Sequence, residues 1–149
     1  MASSKAEVSK IQWEDKFSVD VPELDEFQKT LFDKFNALID MEKQELDAKT
    51  VTNMVSEIND CSKMFFSTEE KILKRQKYPD LESHSRAHRQ FIKHAIALRR
   101  EMAEDVSSHS IDAVLELRDW LVEHIETRDV LYVPFLRINR YINSTKKKN

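Results

Sequence analysis

His84 and His88 lie four residues apart in a stretch of helical periodicity, so both imidazoles leave one side of a helix. That side is the apolar one. Leu81, His84, His88, Phe91, Ala95, Leu98 and Met102 form a single seam with steps of three and four. His124 holds the same kind of position among Val114, Leu117 and Leu121, and Glu69 follows Phe65 by four on the inner side of another seam. Asp129 follows His124 by five residues, about 140° round an ideal helix. For Asp129 to face the same interior the helix must loosen or bulge, as π-bulges do at functional sites. A single inward histidine is ordinarily a hydrogen-bonded core residue, and a single acid near a seam ordinarily reaches water at the bundle's edge. Three of the five histidines converging with two carboxylates is a different case, because unpaired buried charge is costly and a metal ion is the usual compensation inside a bundle. Imidazoles with carboxylates suit Fe(II), Mn(II) or Zn(II). The competing reading is a metal-free network, in which His84, His88, His124, Glu69 and Asp129 must satisfy one another by hydrogen bonds alone. His94, off its seam beside Lys93, and His109, in a serine-rich turn, are not expected in the site.

Four helices must position these groups. The first is expected to start near Pro22, a residue suited to a first helical turn, with Glu23 and Asp25 complementing the dipole and Leu24, Phe27, Leu31, Phe35 and Leu38 facing inward. The second opens near Asp47 as a candidate N-cap and carries Val51, Met54, Ile58, Cys61, Phe65 and Ile72. Pro79 marks the following turn, and Asp80 is a candidate N-cap for the histidine-bearing third helix. The fourth is expected to be capped at Ser108 or Ser110. Ahead of them Ile11 to Val19 reads as an extended arm, and behind them Val130 to Ile142, interrupted by Pro134, reads as a terminal helix or a bent continuation. Helices of about 20 to 28 residues would run about 30 to 42 Å. Short connections favour antiparallel neighbours. The fold class expected is all-α: an antiparallel up-down-up-down four-helix bundle with an N-terminal arm and a short C-terminal helix. Residues 1–149 read as one domain, with 1–10 and 143–149 expected to be flexible.

Composition narrows the functions further. The chain has no glycine, which excludes Gly-rich phosphate loops, and one cysteine, Cys61, which excludes an internal disulfide and a cysteine-based zinc site. No Ser-His-Asp or Cys-His pairing suggests nucleophilic catalysis, and Cys61 falls on an apolar seam as an inert core thiol. The opening MASSKAEVSK lacks the apolar core of a signal peptide, no window reaches transmembrane length, and a net charge of −3 gives no sign of nucleic-acid or membrane binding; a cytoplasmic location is expected. Arg86, Arg89, Lys93 and Arg100 read as a solvated face of the third helix, and Lys146–Lys148 as a solubilising tail.

From Ile11 to about Tyr141 the sequence resembles the hemerythrins, most closely the single-domain bacterial ones. The arm Ile11-Gln12-Trp13-Glu14-Asp15 through Ser18-Val19-Asp20-Val21 looks like the family's opening segment. Asp25-Glu26-Phe27-Gln28-Lys29-Thr30-Leu31-Phe32 is similar to its D-x-Q-H-K-x-L-F pattern, and Phe65-Phe66-Ser67-Thr68-Glu69-Glu70 to H-F-x-x-E-E apart from its first position. His84 to Phe91 matches H-x-x-x-H-x-x-F, and Trp120 to Asp129 matches W-L-x-x-H-I-x-x-x-D. The resemblance implies that one iron takes His84, His88 and His124, and that Glu69 and Asp129 bridge it to a second. It also implies that the second iron, where dioxygen binds, takes histidines from the first and second helices. Gln28 and Phe65 stand at those two positions. A glutamine amide is a weak ligand for a transition metal and a phenyl ring is none. One tightly held ion is therefore expected, iron first, with manganese and zinc compatible with the same donors. Such a centre could sense or react with dioxygen or another small oxidant, or store iron, and is expected to bind rather than to catalyse. Two other readings stand beside it: a di-iron oxygen-binding hemerythrin whose weak second ion uses Gln28, water and the carboxylates, and a metal-free bundle serving as a sensor or interaction module.

Overall fold

The computed structural model describes residues 10–41, 48–104 and 110–148 of the chain. Its helices are α1 (Pro22–Met41), α2 (Ala48–Arg75), α3 (Leu81–Glu104), α4 (Ser110–His124) and α5 (Val133–Lys148). Among the described residues there is no strand, and no helix is long and apolar enough to cross a membrane. Asp47, Ser108 and His109, to which the sequence gave capping or turn roles, lie outside the described residues.

Pro22 is the first residue of α1, with the amide of Asp25 bonding back to the Val21 carbonyl. The Asp25 carboxylate then accepts from the Val19 amide (2.9 Å) and the Ser18 hydroxyl (2.6 Å), which fastens the arm to the helix. The arm is not wholly extended, because Asp15–Phe17 make a 3₁₀ turn that buries Phe17. The α2–α3 connection closes as a Schellman-type cap: the amides of Lys77 and Tyr78 reach back to the carbonyls of Lys74 and Leu73. Lys77 takes the left-handed position (φ 59°) that glycine would usually fill in a chain that had one. The carbonyl of Asp80 then accepts the first bond of α3, from the His84 amide.

Contacting positions run in opposite senses along neighbouring helices, as antiparallel packing requires. On α1 and α2, Phe27 meets Phe65 while Lys34 meets Glu57. On α2 and α3, Phe66 meets Phe91 while Glu69 meets His84. On α3 and α4, Phe91 meets Trp120 while His84 meets His124. Contact between α1 and α4 closes the four-helix ring. The predicted inner seams of α1, α3 and α4 face this core, whereas α2 buries a wider arc than its predicted seam. Val51, Ile58 and Phe65 are buried as expected, Val55, Ser62, Phe66 and Leu73 are buried beside them, and Met54, Cys61 and Ile72 are half-buried. Burial pushes the Cys61 thiol pKa up, in keeping with an unreactive side chain.

The fourth helix departs most from expectation. It keeps α-geometry for 15 residues, passes through a π-turn at Ile125–Asp129 and a 3₁₀ turn at Val130–Tyr132, and continues as the 16-residue α5. Pro134 sits in the first turn of α5, where its missing amide hydrogen costs no helical bond. The helix runs on through Lys148, beyond the boundary at 142 expected from the sequence.

Candidate metal centre

All five residues singled out by the sequence meet at one point in the bundle. Glu69 from α2, His84 and His88 from α3, His124 from the end of α4 and Asp129 from the π-turn each offer a ligand atom, and these atoms lie within 4.8 Å of one another. All five are buried. The π-turn solves the spacing problem: its i→i+5 closure brings residue 129 over residue 124, where an α-helix would carry it to another face. Arg128 fixes the turn against α3 by donating to the Ser83 hydroxyl at 2.7 Å.

Distances within the cluster are short, yet most of its atoms are not hydrogen-bonded to one another. His84 Nε2 lies 2.7 Å from Glu69 Oε1 in hydrogen-bonding geometry. Asp129 Oδ1 is 2.8 Å from His84 Nε2 and 3.1 Å from His124 Nε2, and Glu69 Oε1 is 3.0 Å from His88 Nε2. Despite this proximity, the Nε2 atoms of His88 and His124 and both oxygens of Asp129 are buried without a hydrogen-bond partner. Such atoms are rare in a core, and here several are grouped around one point. A cation placed among them would meet the need of each, so the residues present fit a metal ion.

Surrounding groups aim the imidazoles. His88 Nδ1 lies 2.8 Å from Glu70 Oε2, and the Ser85 hydroxyl donates to the other oxygen of Glu70. With its Nδ1 hydrogen given to Glu70, the neutral imidazole turns the lone pair of Nε2 towards the cluster, as in carboxylate–histidine–metal arrangements. The hydrogen bond from His88, with a smaller contribution from Ser85, holds the Glu70 carboxyl below its ordinary pKa against the cost of burial. Phe66 stacks on His88 (4.0 Å, 6° between planes) and Trp120 on His124 (4.9 Å, 8°), which leaves both rings little freedom to turn. The buried Tyr132 hydroxyl donates to Glu69 Oε2 at 2.8 Å, leaving Oε1 for the cluster. Burial, then the charges of Glu69 and Asp129, push the Tyr132 pKa well above its ordinary value, so it remains a donor.

Glu70, Phe66, Tyr132 and Trp120 were not assigned supporting roles from the sequence. The available signals were the paired acids Glu69-Glu70 and a tyrosine three residues beyond Asp129. His94 is exposed and away from the cluster, as expected.

The two substituted positions are also plain. Gln28 is fully buried, its Oε1 accepts the Trp13 indole hydrogen at 2.8 Å, and its Nε2 has no partner. The carbonyl oxygen that could approach a cation is therefore engaged, and the free end is a donor. Phe65, also fully buried, packs against Phe27 (centroids 6.0 Å apart) and Phe66 (5.5 Å).

Charge within the cluster sets a pH dependence. For His84, burial is the largest influence and lowers the pKa, but the close carboxylates of Asp129 and Glu69 outweigh it and raise the value from 6.5 to about 10. For Asp129, burial raises the pKa, but His124 and His84 outweigh it and hold the carboxyl well below its ordinary value. Without metal, the contribution of His84 to stability is full below pH 6.5 and is lost as pH rises towards about 10. That of Asp129 is present above its ordinary pKa of 3.8 and is lost as pH falls through its depressed value. A metal ion must displace the His84 proton, so loading should strengthen steadily from about pH 6 to 9 and release at least one proton per ion at pH 7. His88, where burial lowers the pKa but Glu69 and Glu70 outweigh it and raise it, adds to the release. Calorimetry in buffers of different ionisation enthalpy measures that release; a binding heat independent of buffer would show that no proton leaves.

Comparison with known proteins agrees with the geometry. Residues 19–136 match the family model described as the hemerythrin HHE cation binding domain. The chain is 28% identical over 121 residues to a myohemerythrin of Theromyzon tessulatum, covering 81% of this chain and 89% of that protein. It is 28% identical over 125 residues to a hemerythrin-like protein of Naegleria gruberi (83% and 92% covered). With a bacteriohemerythrin of Methylococcus capsulatus it shares 27% over 121 residues (81% and 92%).

Proposed function

We propose, for a chain that belongs to the hemerythrin HHE cation-binding family, a centre that holds one metal ion, iron in the first instance, on His84, His88 and His124 with Glu69 and Asp129. The observation that carries this reading is the group of buried ligand atoms around one point that make no hydrogen bond, together with a Gln28 carbonyl already engaged by Trp13. Manganese or zinc would satisfy the same donors. The metal, when bound, would supply a Lewis-acidic, redox-active point at which a small oxidant such as dioxygen could bind.

The protein's own part is positioning and exclusion of water. Glu70 and the Phe66 face hold His88, the Trp120 face holds His124, and Tyr132 holds Glu69 through its second oxygen. Phe65 keeps the side that faces α1 apolar. The free amide hydrogens of Gln28 offer a hydrogen bond to an acceptor, which favours a ligand oxygen over a second cation. This supports sensing or reaction with an oxidant, or iron storage, over reversible oxygen carriage on a second iron. The metal-free network is disfavoured because four of the cluster's atoms, though most lie at ion-pair distance from one another, make no well-formed hydrogen bond. After anaerobic Fe(II) loading and oxidation, the absorption spectrum should lack the charge-transfer band of an oxo-bridged iron pair; its appearance would return the chain to the di-iron reading.

A further inference from the structure

The bundle carries a concave feature on the outer side of α2 and α3, apart from the buried cluster. It is an open groove of about 470 Å³ whose lining includes Lys63, Phe66, Lys71, Lys74, Arg89 and Ile92. Lys63, Ser67, Lys71 and Lys74 recur at helical spacing along α2 over about 16 Å, opposite Leu81, His88, Arg89 and Ile92 of α3. The floor is apolar, made by Phe66, Leu81 and Ile92, and the rim is cationic. Lys63, Lys71, Lys74 and Arg89 are exposed and make no ion pair among the described residues; Arg75, Lys77, Lys93, Arg99 and Arg100 make none either, but only the first four gather around this apolar trough. The one acidic lining residue, Glu70, has both oxygens engaged, by His88 and Ser85. Four free cations around one apolar trough stand out in a chain whose net charge is −3.

The helix dipole distinguishes the two ends of the groove. At one end Lys71 and Lys74 face Leu81, the first residue of α3, where the helix dipole adds positive potential. Towards the other end lie Phe66 and Ile92, with Lys63 and Arg89 on the rim above them. A volume of this size with an apolar floor and a few convergent polar groups suits a small molecule. We propose that the groove binds a small organic anion, a carboxylate or phosphate head on an apolar body, with the head against Lys71 and Lys74 and the body over Phe66 and Ile92. Its occupant touches the aromatic ring that stacks on His88 at 4.0 Å, so occupancy of the groove is felt at the histidine cluster. Binding does not depend on the metal, and the two readings can be tested separately.

The test uses the full ¹⁵N-labelled chain, first without added metal and then loaded with Fe(II), titrated with octyl phosphate, octanoate, inorganic phosphate and octanol. At least one amphiphilic anion should bind saturably and shift the amides of Phe66, Lys71, Lys74 and Ile92. Inorganic phosphate and octanol should each bind about tenfold more weakly or worse, since each lacks half of the recognition. Lys71→Gln with Lys74→Gln should weaken binding about tenfold or more, and Lys29→Gln, on another face, should leave it unchanged. A response to octyl phosphate alone or to octanoate alone supports the proposal and assigns the head group. It is overturned by the absence of saturable binding, by shifts that map elsewhere, or by affinity indifferent to the two lysines. Shifts of the same amides with protein concentration alone would also overturn it, by assigning the groove to a second copy of the chain.

Discussion

Gln28→His combined with Phe65→His should raise the iron bound after anaerobic loading from about one ion per chain to about two. The substitution restores an imidazole on α1 and one on α2, beside carboxylates already in place. Its cost is local. Replacing the fully buried Phe65 ring gives up packing against Phe27 and Phe66, for which losses of about 3 kcal/mol are ordinary, and Gln28→His breaks the bond from Trp13. A second ion offsets that loss only when bound, so the variant should be less stable than the parent without metal and recover with excess Fe(II). Metal analysis after desalting, with circular dichroism to show that the variant is folded, checks both parts. A folded double variant that still holds one iron would mean that the pocket on the α1 side is rebuilt beyond these two side chains, with the arm residue Trp13 the first to suspect.

His84→Ala should lose the metal altogether. His84 is the only histidine of the cluster that lies within 3 Å of both Glu69 and Asp129. Removing it takes away a ligand and leaves two fully buried carboxylates without their common partner. Breaking a buried charged set by deleting one member costs about 3–5 kcal/mol, so the metal-free variant should also unfold at markedly lower denaturant. His94→Ala, on the exposed face of α3, should change neither property. Retention of stoichiometric metal by the His84 variant would show that the ion sits elsewhere.

The fold and the five clustered residues were legible because they rest on local rules. The three-four seam through His84 and His88, the proline at the start of α1 and the turn at Pro79 need no knowledge of neighbouring helices. The five-residue step from His124 to Asp129 even required the π-turn, since the two could not otherwise share a side of the helix. What was hidden depends on how elements pack. Glu70, adjacent to Glu69, points about 100° away on an ideal helix, and its role appears only when α3 brings His88 beside it. Tyr132 follows Asp129 through a change of helical geometry that no periodicity encodes. The bond from Trp13 to Gln28 joins the arm to α1 across 15 residues of sequence. The inner face of α2 is wider than its expected seam because that helix packs against both α1 and α3.

The most direct test of a one-metal centre is native mass spectrometry of the intact chain after anaerobic Fe(II) loading and removal of excess metal. A single dominant species carrying one iron ion is expected, with loss of that ion on acidification. A dominant species with two irons, or a chain that stays free of any transition metal, would contradict it.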